Sequence, residues 1–296
     1  MGIPRGTARL LLDEARRRPF TGTLLELGRM TVYVTGAELD RWAAEQSVAL
    51  ASDADLRLSH QPELARLGCL DDVSFFRRLG FSAVESSDVS DWEGADRILD
   101  LNRPVPVELH GRYDAVFEAG TIQHVFDLPQ VFANIHSLLR PGGRVIHGMA
   151  PSSNHVDHGF YMFSPTLFAD FYRENGWEIE AFYFFEFRSY WWRGRFRSTV
   201  WKVRPYAPGC LDDLSYGGFG GSQLGIFVVA TRAAEATGDR VPQQSVFRRS
   251  PPKIASRSGS PALASPVEAV LETLKYWKSR LLRPARRRLP PVVRRY

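Results

Sequence analysis

The feature that most constrains the fold is an alternation. Short apolar runs, the first four of them closing on an acid or a glycine, are separated by segments with helical periodicity. Thr23–Gly28, Phe81–Asp88, Ala95–Asp100, Tyr113–Glu118, Arg144–Met149, Trp177–Phe187 and Leu224–Ala230 read as strands. Residues 7–18, 35–46, 71–79, 128–139 and 164–174 read as helices, with Thr7, Thr35 and Ser164 as N-caps. Strands alternating with helices require an α/β fold with a mostly parallel sheet. The exception is the stretch 188–223, which has no helical pattern. The strands on either side of it are therefore expected to pair antiparallel.

Charge divides the chain. The net +5 is the balance of a body, residues 1–239, at −7 and a segment, residues 240–296, at +12. Residues 233–265, rich in Ser, Pro, Gln and Ala, read as a disordered linker, because they offer too little apolar surface to offset chain entropy. Residues 266–283 carry an apolar stripe (Val267, Val270, Leu271, Leu274, Trp277, Leu281) with Lys275, Lys278, Arg280 and Arg283 off it. Residues 286–296 read as a basic, unstructured end. An amphipathic basic helix suits an anionic membrane surface, and a solubilising tail is the plainer account. No recognised nucleic-acid motif accompanies the charge. There is no apolar run of about 18 residues and no signal core, and two cysteines, Cys69 and Cys210, make neither a disulfide framework nor a four-cysteine zinc site. The expected compartment is a reducing cytoplasm, with peripheral contact to a membrane through residues 266–296.

In an open α/β sheet, ligands bind beyond the carboxyl ends of the strands. Here those ends are Glu26-Leu-Gly28, Asp88, Asp100 and Glu118-Ala-Gly120. Acids in that arrangement suit a ligand rich in hydroxyls and amines, and glycine lets backbone approach it. The competing reading of each acid alone is a cap for the turn that follows. A dinucleotide site would need Gly-x-Gly-x-x-Gly after the first strand, and a serine hydrolase a Gly-x-Ser-x-Gly elbow; both are absent.

Residues 23–28 and 81–231 resemble a class I S-adenosylmethionine-dependent methyltransferase. Tyr113-Asp-Ala-Val-Phe-Glu-Ala-Gly-Thr-Ile-Gln-His-Val-Phe126 is similar to the family's fourth strand and the turn after it. Leu138-Leu-Arg-Pro-Gly-Gly-Arg-Val-Ile146 is similar to the entry of its fifth strand, and Phe163–Phe171 with Glu174-Asn-Gly-Trp-Glu-Ile179 to the helix and strand beyond. The resemblance implies a Rossmann-like seven-stranded, mostly parallel sheet with an antiparallel last strand and helices on both faces. It also implies S-adenosyl-L-methionine as cofactor. Position by position, it places Glu26 and Gly28 at the methionine end of the donor, Asp88 at the ribose, Asp100 and Leu101 beside the adenine, and Glu118 and Gly120 at the sulfonium. The first motif departs from the family, with one glycine and then Arg29-Met-Thr-Val-Tyr33.

On the acceptor side, Asn154-His-Val-Asp-His-Gly-Phe-Tyr161 follows the fifth strand. A histidine there could take the proton of an attacking hydroxyl; His158 is the first candidate, Tyr161 the second, and His124 the third. Ordinary loop histidines are the plainer reading, and a metal site from His155, Asp157 and His158 has the ligand types but only local spacing. Residues 183–206 interleave aromatics with arginines, suited either to a phosphate-bearing glycan or nucleotide-linked acceptor, or to covering the sheet edge. The expected partner is thus a small-molecule or glycan acceptor, methylated on oxygen. The alternative is a non-catalytic methyltransferase-like scaffold that binds anionic surfaces through its basic tail. Oligomeric state is left open.

Overall fold

Thr7 does not cap the first helix. In the computed structural model, which describes residues 2–52, 55–192, 195–211, 219–245, 247 and 289–296, α1 (Arg5–Arg17) begins behind Pro4, and the Thr7 hydroxyl instead donates to the Gly148 carbonyl at 3.1 Å. The other caps lie where the sequence puts them. Thr35 and Glu38 form a reciprocal capping box on α2 (Gly36–Glu45), and Ser164 caps α6 (Pro165–Glu174). Between them lie α3 (Pro62–Ala65), α4 (Asp72–Leu79), capped by Asp71, and α5 (Leu128–Leu138), capped by Asp127.

The strands are β1 (Gly2–Ile3), β2 (Thr23–Leu27), β3 (Thr31–Val32), β4 (Ala83–Asp88), β5 (Arg97–Ile98), β6 (Tyr113–Glu118), β7 (Leu139–Ser153), β8 (Glu178–Phe187), β9 (Ser189–Trp192), β10 (Arg195–Ser198), β11 (Lys202–Pro205), β12 (Gln223–Thr231) and β13 (Arg294–Arg295). The main sheet runs β13-β11-β8-β12-β7-β6-β2-β4-β5. Pairs from β5 to β7 are parallel, and β12 is antiparallel to both β7 and β8. Seven strands thus follow the expected plan, with the last of them in sequence reversed. The other two, β11 and β13, extend one edge.

The central strands read as unbroken apolar runs because both their faces are buried. Leu24, Ala115, Phe117, Phe227 and Val229 pack on the side of α1, α2 and α4. Their neighbours Leu25, Val116, Ile226 and Val228 pack on the side of α5 and α6. Only two residues of the expected strand 95–100 are extended. With Asp88 and Asp100 only twelve positions apart, a turn replaces the crossover helix.

Two expectations about the C-terminal part are corrected. Residues 233–245 begin the expected linker, yet they lie against the body. Trp177 Nε1 donates to Thr237 O at 2.7 Å, Arg240 N donates to Asn175 Oδ1 at 2.9 Å, and Ala236 is buried. Residues 289–296, expected to be unstructured, return to the sheet. β13 pairs with β11, and the Tyr296 hydroxyl donates to Asp13 of α1. Backbone pairing and a partly buried aromatic ring hold this segment despite its charge. The expected linker residues 248–265 and the expected helix 266–283 lie outside the described residues.

Within 183–206, where side chains are described, the aromatics turn inward. Trp201 stacks on Phe185 with ring centroids 4.0 Å apart, and Arg204 pairs with Glu186 at 3.2 Å. The stretch covers the sheet edge there. No helix among the described residues is long and apolar enough to cross a membrane.

Candidate functional site

Chain direction across the sheet reverses at β2. From there β4 and β5 are added on one side and β6 and β7 on the other. The crevice beyond the carboxyl ends of β2 and β6 is where a sheet of this kind leaves room for a ligand. A cleft of about 420 Å³ opens there, lined by Gly28, Asp88, Leu99, Leu101, Thr121 and His124, with Ser87, Val89, Asp100, Asn102 and Val125. Its volume falls within the ~300–1,000 Å³ typical of small-molecule sites.

Gly28 ends β2 with φ +82°, a conformation that favours glycine, and its N–H donates to Ser87 O at 2.6 Å. This draws the ends of β2 and β4 together as the floor of the cleft. Asp88 ends β4, and one of its oxygens accepts the Val89 N–H at 2.7 Å. Asp100 folds back to accept from the Asn102 backbone and side chain, and these bonds hold its carboxyl below the ordinary range. Leu101 and Leu99 are buried and form an apolar wall.

Two expected cofactor acids do not line the cleft. Glu26 is fully buried, no donor reaches either of its carboxylate oxygens in hydrogen-bonding geometry, and one oxygen of Asp72 is likewise without a donor. Burial first, and then the charge of Asp72, push the Glu26 pKa well above the carboxylate range. Arg29 Nε, 3.4 Å from Asp72, opposes this rise without cancelling it. Glu118, also fully buried, turns back under the loop that follows β6. Its Oε2 accepts the N–H groups of Gly120 (3.1 Å) and Thr121 (3.3 Å), and its Oε1 lies 2.8 Å from His147 Nδ1. It is a cap for its own turn, the plainer of the two readings of a strand-end acid. Gly120, at φ +97°, makes that turn.

The turn carries Thr121 and His124 into the cleft. The Thr121 hydroxyl donates to Leu27 O, tying the turn to β2. The Gln123 amide donates to Gly120 O at 2.8 Å and stands 3.3 Å from His124 Nε2. His124 packs edge-on against His158, ring centroids 5.4 Å apart. Burial, and then the neighbouring His158, lower the His124 pKa. His158 is exposed on the 154–160 loop, and Tyr161 donates its hydroxyl to Phe126 O at 2.7 Å. Of the three expected proton acceptors, then, His124 lines the cleft, His158 packs on His124 without lining it, and Tyr161 bonds to Phe126 beside it. Among the described residues no group of three or more His, Cys, Asp or Glu is placed to hold a metal ion.

One residue of the site escaped the sequence reading. His147 lies in the middle of β7, fully buried, and joins Glu118 to Tyr172 of α6, whose Oη is 2.6 Å from His147 Nε2. The only signal was a lone ring nitrogen donor inside an apolar strand.

No protein-family profile and no curated protein matches the chain. Several solved structures are similar to it. One is a candidate methyltransferase of Bacillus halodurans C-125 (10% identity, TM-score 0.40, covering 76% of this chain and 98% of that one). Another is the 1,6-didemethyltoxoflavin-N1-methyltransferase of Burkholderia thailandensis, solved with S-adenosylhomocysteine (14% identity, TM-score 0.35, 76% of each chain). A third is phosphoethanolamine N-methyltransferase 2 of Haemonchus contortus, solved with S-adenosyl-L-methionine (13% identity, TM-score 0.37, 77% of this chain and 53% of that one).

Proposed function

We propose that this chain is an S-adenosyl-L-methionine-dependent methyltransferase that acts on a hydroxyl of a small-molecule, glycan or lipid-linked acceptor. The observation that carries the proposal is the cleft itself. It lies at the topological switch point, with a carboxylate at the end of β4 beside an apolar wall. That donor set fits a nucleoside with a cationic group. Leu99, Leu101 and Val125 suit the faces of an adenine, Asp88 can accept from ribose hydroxyls, and the Gly28 backbone lies open beneath the amino-acid end. When bound, the donor supplies a methyl group on a sulfonium, transferred by in-line displacement.

The chain's own contribution is to position, to exclude water and to take a proton. His124 is the residue best placed to receive the acceptor's proton: it lines the cleft, and burial lowers its pKa, which favours the neutral imidazole. His158 packs on its ring and Tyr161 bonds to Phe126 beside the cleft. The basic segment 266–296 would bring the enzyme to an anionic membrane surface from the cytoplasmic side.

Titration calorimetry with S-adenosylmethionine and S-adenosylhomocysteine tests the reading. Saturable binding of either is expected, and no heat at millimolar ligand from folded protein would refute it. A second reading, a scaffold that binds no donor, is favoured by the burial of Glu26 against Asp72, away from the cleft. Vesicles of phosphatidylcholine with one-quarter phosphatidylglycerol examine the surface role. Wild type should sediment with them, and R286Q/R287Q/R288Q should do so less.

A further inference from the structure

We infer that His147 is a positioning residue for the cleft: through Glu118 it fixes the turn that presents Thr121 and His124. This rests on the methyltransferase reading for its chemistry, but its geometry stands independently. Glu118 and His147 are register partners on the adjacent parallel strands β6 and β7. Both are fully buried, so every polar atom they carry needs a partner inside the protein.

The partners form one line from α6 to the cleft. Burial, and then the charge of Glu118, push the Tyr172 phenol well above its ordinary pKa, so it keeps its proton. The carboxylate can only accept, so His147 Nδ1–H donates to Glu118 Oε1, and Nε2 is left to accept the Tyr172 hydroxyl. The tautomer is thereby fixed from the α6 side. With Oε1 held by His147, Oε2 points at the N–H groups of Gly120 and Thr121. Phe168 and Phe132 pack around the imidazole, with ring centroids 4.8 and 6.3 Å away. Nothing in this line touches the ligand space directly. It acts on the turn, and the turn lines the cleft.

Three variants of the full-length protein test it: H147L, which removes both nitrogens, H147N, whose amide N–H can reach the place of Nδ1–H, and Y172F. Hydrogen exchange of the 119–125 amides and calorimetry with S-adenosylhomocysteine are read side by side. In H147L, exchange at Gly120 and Thr121 should accelerate while that of β12, the other neighbour of His147, does not. Affinity should fall between about 2- and 30-fold. H147N should recover most of both, and Y172F should lie between H147L and wild type. Unchanged exchange and affinity in folded H147L would overturn the proposal, as would H147N being no better than H147L. If H147L does not fold, H147N and Y172F decide it by the same readouts. If wild type itself does not bind S-adenosylhomocysteine, the methyltransferase reading fails, and the exchange data alone still judge the role of His147.

Discussion

Trp201 and Tyr296 exchange both of their backbone hydrogen bonds, Trp201 N–H to Tyr296 O at 2.6 Å and Tyr296 N–H to Trp201 O at 3.1 Å. The indole so held lies against α1, where a β-carbon at Gly6 would come within 2.2 Å of it. The basic segment thus ends in a clasp across the sheet edge, tightened by Arg294 Nε donating to Asp13 at 2.9 Å and by Arg9 over the Tyr296 ring at 4.6 Å. Deleting residues 289–296 is expected to destabilise the fold by about 2 kcal/mol, since it loses a few net hydrogen bonds and one partly buried aromatic. Urea denaturation measures this, and an unchanged midpoint would show that the clasp is ornamental.

Arg144 follows Gly142-Gly143 and is buried. It donates to Glu14 at 2.7 Å and to the carbonyls of Arg18 and Pro19, and so fastens the end of α1 to β7. Burial lowers its pKa to about 10 despite the attraction of Glu14. R144M leaves the Glu14 carboxylate with Arg17 alone and should cost about 3–5 kcal/mol, whereas R144M/E14L should cost less than R144M. Chemical denaturation of both variants decides it; a double variant worse than the single would contradict the account.

Much of this was readable from the residues. The Thr35 cap is local, and so is visible without a fold; the structure adds Glu38 as its reciprocal partner. The central strands announce themselves because helices cover both faces, so Leu24-Leu25 and Phe227-Val228 can both be apolar. What was hidden depends on distance in sequence. The basic composition of 286–296 says nothing of the distant Asp13 that accepts from Tyr296. Glu26, Asp88 and Glu118 look alike in sequence, since an acid at a strand end serves equally as ligand or cap. Only the β2–β4 floor and the turn after β6 separate them, leaving Asp88 in the cleft and the other two beneath it. His147 was missed because one polar residue in an apolar strand has no periodicity.

Asp88 should matter more to the donor than Asp100. D88A should weaken S-adenosylhomocysteine by roughly 10-fold or more, the scale of a hydrogen bond to a charged group. D100A should change it less, because that carboxylate is already occupied by Asn102. Calorimetry gives both values, and the reverse order would show that the ligand sits elsewhere.

His124 should titrate below a free histidine. Because its pKa is lowered, its contribution to stability is present above the unfolded pKa and is lost as pH falls through the folded one. H158Q removes the charge that forms beside it and should move the His124 titration upward, followed by NMR of the imidazole resonances. No movement would mean that the two rings do not sense each other.

Glu85 should contribute stability that is lost in acid. Burial opposes its ionisation, but hydrogen bonds from Arg97, Tyr113 and Arg112 outweigh it and bring the pKa down to about 2. A lowered carboxyl stabilises above its unfolded pKa, and that stability disappears as pH falls from about 4.5 toward 2. E85Q should flatten the stability profile across that window; a profile parallel to wild type would exclude Glu85 as its source.

The raised pKa of the buried Glu26 gives the cleft floor a chemical lock. Prising the bend at Gly28 apart would admit water, return the Glu26 carboxyl toward its ordinary pKa and favour loss of its hydrogen ion, so each such excursion is opposed in acid and encouraged in alkali. Any conformational breathing of that floor is therefore coupled to the buffer around it.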